Sequence, residues 1–222
     1  MHTYILTRFS IFDPKYKHFN LTDLTHYNRH GYKSKLFSSR RLDFKFKVFE
    51  KMTLPTVIHQ TNKDYTWYIY TSNVLPEKYK KKLLKLTEKH PQIKCKCIES
   101  FKEFTFSPDK EGLYCTVRLD DDDGLNPHFF NNLQKYKHLN GCVISHSHGL
   151  KYRLKEGNVD LGSPIVYKNI ALGLCAIGKN IYDCGAHTDI AENHKVIYDE
   201  TPNMYYLCYS ELCDSKRVDF NW

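Results

Sequence analysis

Residues 4–9 (YILTRF) form a short apolar, β-favouring run with no polar face, as expected of a strand buried on both sides. Similar runs recur at 67–71 (WYIYT) and 113–119 (LYCTVRL). Between them the period changes. Residues 42–60 carry Phe44, Val48, Phe49 and Met52 on one helical face, with Arg40, Arg41, Lys45, Lys47 and Lys51 interspersed. Pro55 marks a kink or the first turn of a following helix. Residues 77–90 read as a helix with Tyr79, Leu83 and Leu86 inward and lysines 78, 80, 81, 82 and 85 largely outward, ended by Pro91. Residues 93–98 alternate apolar or Cys with Lys, as an edge strand does. A helix is expected over 126–139, then strands or a hairpin at 142–154 and 160–167. Residues 11–39 lack a period and are expected as a long loop with a helical turn near 21–27, of the kind that lies over a binding site.

Strands alternating with helices predict an α/β fold with a mostly parallel sheet and helices on both faces. No repeat or linker divides the chain, so residues 1–222 are expected to form a single domain. Thirteen Phe and 17 Tyr are too many for a solvated chain, which excludes disorder for the bulk of it. The net charge of +8 favours anionic partners without choosing among nucleotides, nucleic acid, phosphorylated glycans or an acidic membrane face. The start of the chain lacks the pattern of a signal peptide, and no apolar run reaches the length of a spanning helix. Eight cysteines are scattered without a C-x-x-C pair, which reads as reduced, mostly buried thiols and a cytoplasmic protein. The lysine-rich helix is expected to be a solvated face, with peripheral membrane contact as the alternative.

The chemistry concentrates where the strand at 113–119 runs into Asp120-Asp121-Asp122-Asp123. In open α/β sheets ligands gather at the carboxyl ends of strands. Four adjacent carboxylates are costly unless a positive group joins them. Mg²⁺ or Mn²⁺ suits such oxygen ligands; a solvated turn or helix cap is the alternative. His146 and His148, two apart on an expected strand, would point to one face, as surface or acceptor-groove residues more readily than as a metal pair.

Three spans carry a resemblance: Tyr4-Ile5-Leu6-Thr7-Arg8-Phe9; the stretch from Phe49 to Trp67, with Leu54-Pro55-Thr56-Val57-Ile58, Gln60-Thr61 and Trp67; and Thr116-Val117-Arg118-Leu119-Asp120-Asp121-Asp122-Asp123-Gly124-Leu125. Together they are similar to the putative rhamnosyltransferase group of GT-A glycosyltransferases, most closely over about the first 130 residues. The resemblance implies a GT-A-like (Rossmann-like) sheet with a smaller antiparallel acceptor-side portion. Residues 1–125 would be the nucleotide-sugar half and 126–222 the acceptor half. It implies a metal-dependent transfer of rhamnose or another hexose from a nucleotide-diphosphate sugar to a glycan or lipid-linked glycan acceptor. Carried over by residue, Asp120 and Asp122 match the metal-binding D-x-D element, with Mn²⁺ or Mg²⁺ bridging the diphosphate, and Asp120 or Asp121 would touch the ribose. Thr7, Arg8 and Phe9 would border the base and phosphates. His187, in Gly185-Ala186-His187, would be a third metal ligand, the alternative being a hydrogen-bonded loop histidine. An inverting transferase also needs a general base, for which Asp189 and Asp183 are candidates ahead of Glu192. Apart from the resemblance, the basic residues Arg29, Lys33, Lys35, Arg40 and Arg41 of the long loop would close over a diphosphate, the alternative being a floppy lid without a part in the chemistry.

Two other classes compete. A nucleic-acid-binding module fits the charge, but no recognition motif for it is present and the acidic turn repels phosphates, so no nucleic-acid partner is expected. A metal-dependent nucleotidyltransferase or phosphohydrolase would share the aspartates.

Overall fold

The computed structural model describes residues 1–13, 15 and 29–210. The helical turn expected near 21–27, and Cys213, lie outside the described residues. Two sheets organise the rest. The larger has seven strands in the order β10-β6-β9-β4-β1-β2-β3. These are β1 (His2–Phe9), β2 (Tyr65–Ser72), β3 (Ile93–Ile98), β4 (Tyr114–Arg118), β6 (Val143–His146), β9 (Cys175–Ile177) and β10 (Val196–Asp199). All run parallel except β9, which is antiparallel to both β4 and β6. The smaller sheet orders β5 (Gly124–Leu125), β11 (Tyr205–Cys208), β7 (His148–Lys155) and β8 (Asn158–Val166). It is antiparallel except where β11 runs parallel to β7.

The buried runs become central strands because both faces of the sheet are covered. Ile5, Phe9, Trp67, Ile69 and Val117 face one layer, made by α2 (Ser39–Val48), α3 (Leu54–Ile58), α4 (Glu77–Thr87) and α5 (Phe129–Leu133). Tyr4, Leu6, Tyr68 and Tyr70 face the other, closed by Phe101, Phe104 and Phe106, a 3₁₀ turn at Ile181–Cys184, and α6 (Ile190–Asn193). Asp109 fastens this second layer, accepting hydrogen bonds from the hydroxyls of Tyr4 and Tyr68 and from Lys94. Among the described residues no helix is long and apolar enough to cross a membrane, and the described cysteines are all free thiols.

Several expectations need correction. Residues 11–39 are not one loop, because α1 (Arg29–Leu36) lies within them and α2 begins at Ser39. The helical region at 42–60 is continuous but irregular: a π-helical turn at Phe49–Thr53 joins α2 to α3, and Pro55 sits in the first turn of α3. The extra residue of a π turn rotates the next stretch of helix about its axis. It brings Leu54 and Val57 onto the core side with Leu42, Phe46 and Phe49. The expected face holds, with Phe44 packed beside buried Val48 and Met52 on Tyr152 and Cys208 of the small sheet; a second buried stripe through Leu42, Phe46 and Phe49 meets the large sheet, and Lys45 and Arg41 are buried as well. The helix at 126–139 shrinks to α5 followed by a 3₁₀ turn at Gln134–Tyr136. His146 and His148 do not share a face: His146 ends β6 in the large sheet, fully buried, and His148 opens β7 in the small one.

Candidate functional site

β1, β4, β6 and β10 all run in one direction, so Phe9, Asp120, His146 and Asp199 lie along one edge of the large sheet. The register pairs Leu6 with Arg118, so Arg8 lies one step further along the same face. There the two guanidiniums gather on one ring: the Tyr182 centroid lies 4.8 Å from Arg8 Cζ and 5.5 Å from Arg118 Cζ. Arg118 Nη2 reaches Asp120 Oδ2 at 3.4 Å, and the Asp120 side chain remains one-third exposed. Burial alone would raise the Asp120 carboxyl; Arg118, then Arg8 and Lys45, overcome that and hold it well below the usual carboxylate range. Two guanidiniums stand here beside one part-exposed carboxylate.

The remaining aspartates turn the other way. Asp121, Asp122 and Asp123 are buried, and so is Lys45. Lys45 Nζ donates to Asp121 Oδ1 and to Asp122 Oδ2, both at 2.8 Å. Thr53, from the π turn of the same helix, donates its hydroxyl to the Asp121 carbonyl at 3.3 Å. The small sheet holds the turn from below: the Tyr152 hydroxyl donates to the Asp122 carbonyl, and Cys208 N–H donates to Asp123 Oδ1 at 2.9 Å. Gly124 lies close under the helical layer here. A Cβ on it would lie 3.2 Å from Thr56 and 3.3 Å from Met52, tighter than side chains normally approach, so the glycine lets the helical layer rest directly on the turn.

The remaining predicted residues disperse. Thr7 is buried and accepts the indole N–H of Trp67 at 2.8 Å. Phe9 is fully buried against Phe46 and Phe49. Of the three residues expected at the end of β1, only Arg8 reaches the corner beside Asp120. His187 Nδ1 lies 2.9 Å from the Asn169 carbonyl, as a hydrogen-bonded loop histidine does. Asp183 directly follows Tyr182, is exposed, and accepts from Asn180 Nδ2 at 3.1 Å. Asp189 is exposed at the start of α6. Arg41 does not reach outward, because its Nη1 donates to Ser10 Oγ at 3.0 Å and to the Leu36 carbonyl at 2.9 Å.

A divalent cation shared by Asp120, Asp122 and His187 does not fit this arrangement. Asp122 is bonded to Lys45, Asp120 faces Arg118, and His187 is engaged with a backbone carbonyl. Among the described residues no three His, Cys, Asp or Glu side chains are grouped to hold a metal ion. Motif and composition single out neither Lys45 nor Arg118 as a site residue. A signal for Lys45 is nonetheless present, since it falls three residues after Leu42 and four before Phe49, on the stripe that faces the sheet.

A second buried group lies further along the same edge. Asp199 Oδ2 is 3.4 Å from His146 Nε2 and 3.0 Å from Lys135 Nζ, and Asp199 Oδ1 accepts from Thr201 N–H at 2.8 Å. Asn132 also donates to it. Burial would raise the Asp199 carboxyl, but the hydrogen bonds from His146 and Thr201 reverse this and hold it far below the usual range. With the Phe129 ring 4.4 Å from the imidazole, the group ties α5 to β6 and β10.

A family model described as putative rhamnosyl transferase matches residues 3–218. No curated protein matches the sequence. Among solved structures, S. aureus TarS 1-349 in complex with UDP-GlcNAc superposes with a TM-score of 0.53 at 8% identity, covering 95% of this chain and 59% of that one. TarS 1-349 in complex with UDP gives 0.51 at 9% identity, covering 95% and 61%. At these identities the likeness is one of fold, a GT-A-like α/β arrangement, and this chain spans about three-fifths of the TarS chain.

Proposed function

Since the chain belongs to the putative rhamnosyl transferase family, we propose that it transfers a sugar, rhamnose or another hexose, from a nucleoside diphosphate donor to a hydroxyl of a glycan or lipid-linked glycan. The observation that carries this reading is the corner at the ends of β1 and β4, where Arg8 and Arg118 converge on Tyr182 beside the part-exposed Asp120. A uridine nucleotide is the first donor to try, because the TarS structures of similar fold hold UDP-GlcNAc and UDP.

In this reading the donor diphosphate lies against the two guanidiniums, and Asp120 accepts from the ribose hydroxyls. The bond between the anomeric carbon and the diphosphate oxygen breaks, and the acceptor oxygen takes its place on that carbon. Negative charge then grows on the departing diphosphate. Planar guanidinium donors fixed by stacking and by Asp120 are suited to stabilise it without reorganising. For an inverting transfer the acceptor proton passes to a carboxylate. Asp183 and Asp189 remain the two candidates, both exposed on the segment that follows Tyr182.

The test is calorimetry with UDP and a release assay over a panel of nucleotide sugars. Arg8→Ala should weaken UDP by about 1.5–3 kcal/mol, roughly 10- to 150-fold. Asp183→Asn or Asp189→Asn, whichever removes the base, should lower kcat while leaving donor affinity unchanged. A protein that binds no nucleoside diphosphate, or an Arg8→Ala variant that binds as tightly as the parent, would sink the reading.

A further inference from the structure

Four adjacent carboxylates at the end of a strand need compensation, and in this molecule an ammonium group lies among them. Lys45 is only 1% exposed. Its Nζ stands 2.8 Å from an oxygen of Asp121 and 2.8 Å from an oxygen of Asp122, oxygens that a hard divalent cation would otherwise take. A dication seated on the same pair would stand against Lys45, and like charges a few ångströms apart in a poorly hydrated interior repel strongly. Nor can Lys45 swing aside freely. Its neighbours Leu42 and Phe46 are fully buried in the core, and the helix that carries it is bonded to the same turn through Thr53.

We propose that Lys45 is the built-in cation of the donor site. It bridges Asp121 and Asp122 where a divalent metal would otherwise sit and offsets one of their two negative charges, so donor binding requires no metal at these aspartates. This rests on the nucleoside diphosphate reading above. Lys45 acts through the aspartates and is a positioning residue. Its role is distinct from mere packing because removal of its charge opens a cation site.

The experiment has two arms. In the first, Mn²⁺ alone is titrated into the full chain, into Lys45→Met and into Lys45→Arg. The parent and Lys45→Arg should take up no ion tighter than about 1 mM at the turn, whereas Lys45→Met should gain one that Asp122→Asn removes. In the second, UDP affinity of the parent is measured in EDTA and in Mn²⁺. The two values should agree within about threefold, while Lys45→Met should lose about tenfold in EDTA and recover with Mn²⁺. Three results overturn the proposal: Mn²⁺ uptake by the parent that Asp122→Asn abolishes, a parent whose UDP affinity falls more than about threefold in EDTA, or a folded Lys45→Met that gains no Mn²⁺. If Lys45→Met does not fold, the two measurements on the parent decide. If UDP binds the parent in neither buffer, the donor reading falls, and the Mn²⁺ arm still judges Lys45.

Discussion

At the scale of single residues, two groups of buried charge stand out, one around the aspartate turn and one around Asp199. Asp199, itself buried, allows a direct test of what such a charge contributes. Its folded pKa is depressed, so its contribution to stability is complete above the unfolded carboxylate value of about 3.9 and is lost as pH falls below that. Asp199→Asn should cost about 1–3 kcal/mol at pH 7, and the gap from the parent should narrow as the pH is lowered toward 3. Urea unfolding across that range checks it; a gap independent of pH would assign the loss to packing instead. The Asp120 turn is legible in the sequence because four like charges after an apolar strand have few explanations. The Asp199 group is not. His146 and Asp199 are far apart in the chain and become neighbours through the parallel pairing of β6 with β10, and Asn132 joins them from α5.

At the scale of elements, strands are more legible than helices. A run buried on both faces looks the same however the sheet is ordered, which is why β1, β2 and β4 emerge from the sequence within a residue or two. Helices are read by phase, and the π turn at Phe49–Thr53 breaks it. The helical region buries two faces, Phe44, Val48 and Met52 on the small sheet and Leu42, Phe46 and Phe49 on the large one, and Lys45 is buried along with them. The join between β7 and β11 gives this scale its prediction. Gly149 pairs with Tyr205, and a Cβ on Gly149 would lie 2.3 Å from the Tyr205 ring, which is fully buried. Gly149→Ala should lower stability by about 1–3 kcal/mol, read as a fall in the melting midpoint. The penalty should shrink when Tyr205 is also reduced to Leu, because the two changes share one contact. Additive losses would place the cost elsewhere.

At the scale of the whole molecule, the alternation of strand and helix is enough to give an α/β fold with a mostly parallel sheet. The antiparallel insertion of β9 between β4 and β6 is beyond pattern reading, because three residues, Cys175–Ile177, carry no directional signal. The aspartate turn joins parts of the chain that are remote in sequence. Its bonds to Lys45, Tyr152 and Cys208 span 76, 30 and 85 residues. Contacts that close such long loops form late on a folding pathway. Time therefore enters the function: a chain still emerging from the ribosome carries the aspartates long before it carries the strand that fixes them. Nucleotide binding should appear only with the slowest refolding phase, after the far-ultraviolet signal of the large sheet has recovered. Stopped-flow refolding with a fluorescent uridine nucleotide would show the delay, and binding that rises together with the secondary structure would refute it. The proposed donor site would then serve as the molecule's own report that folding is complete.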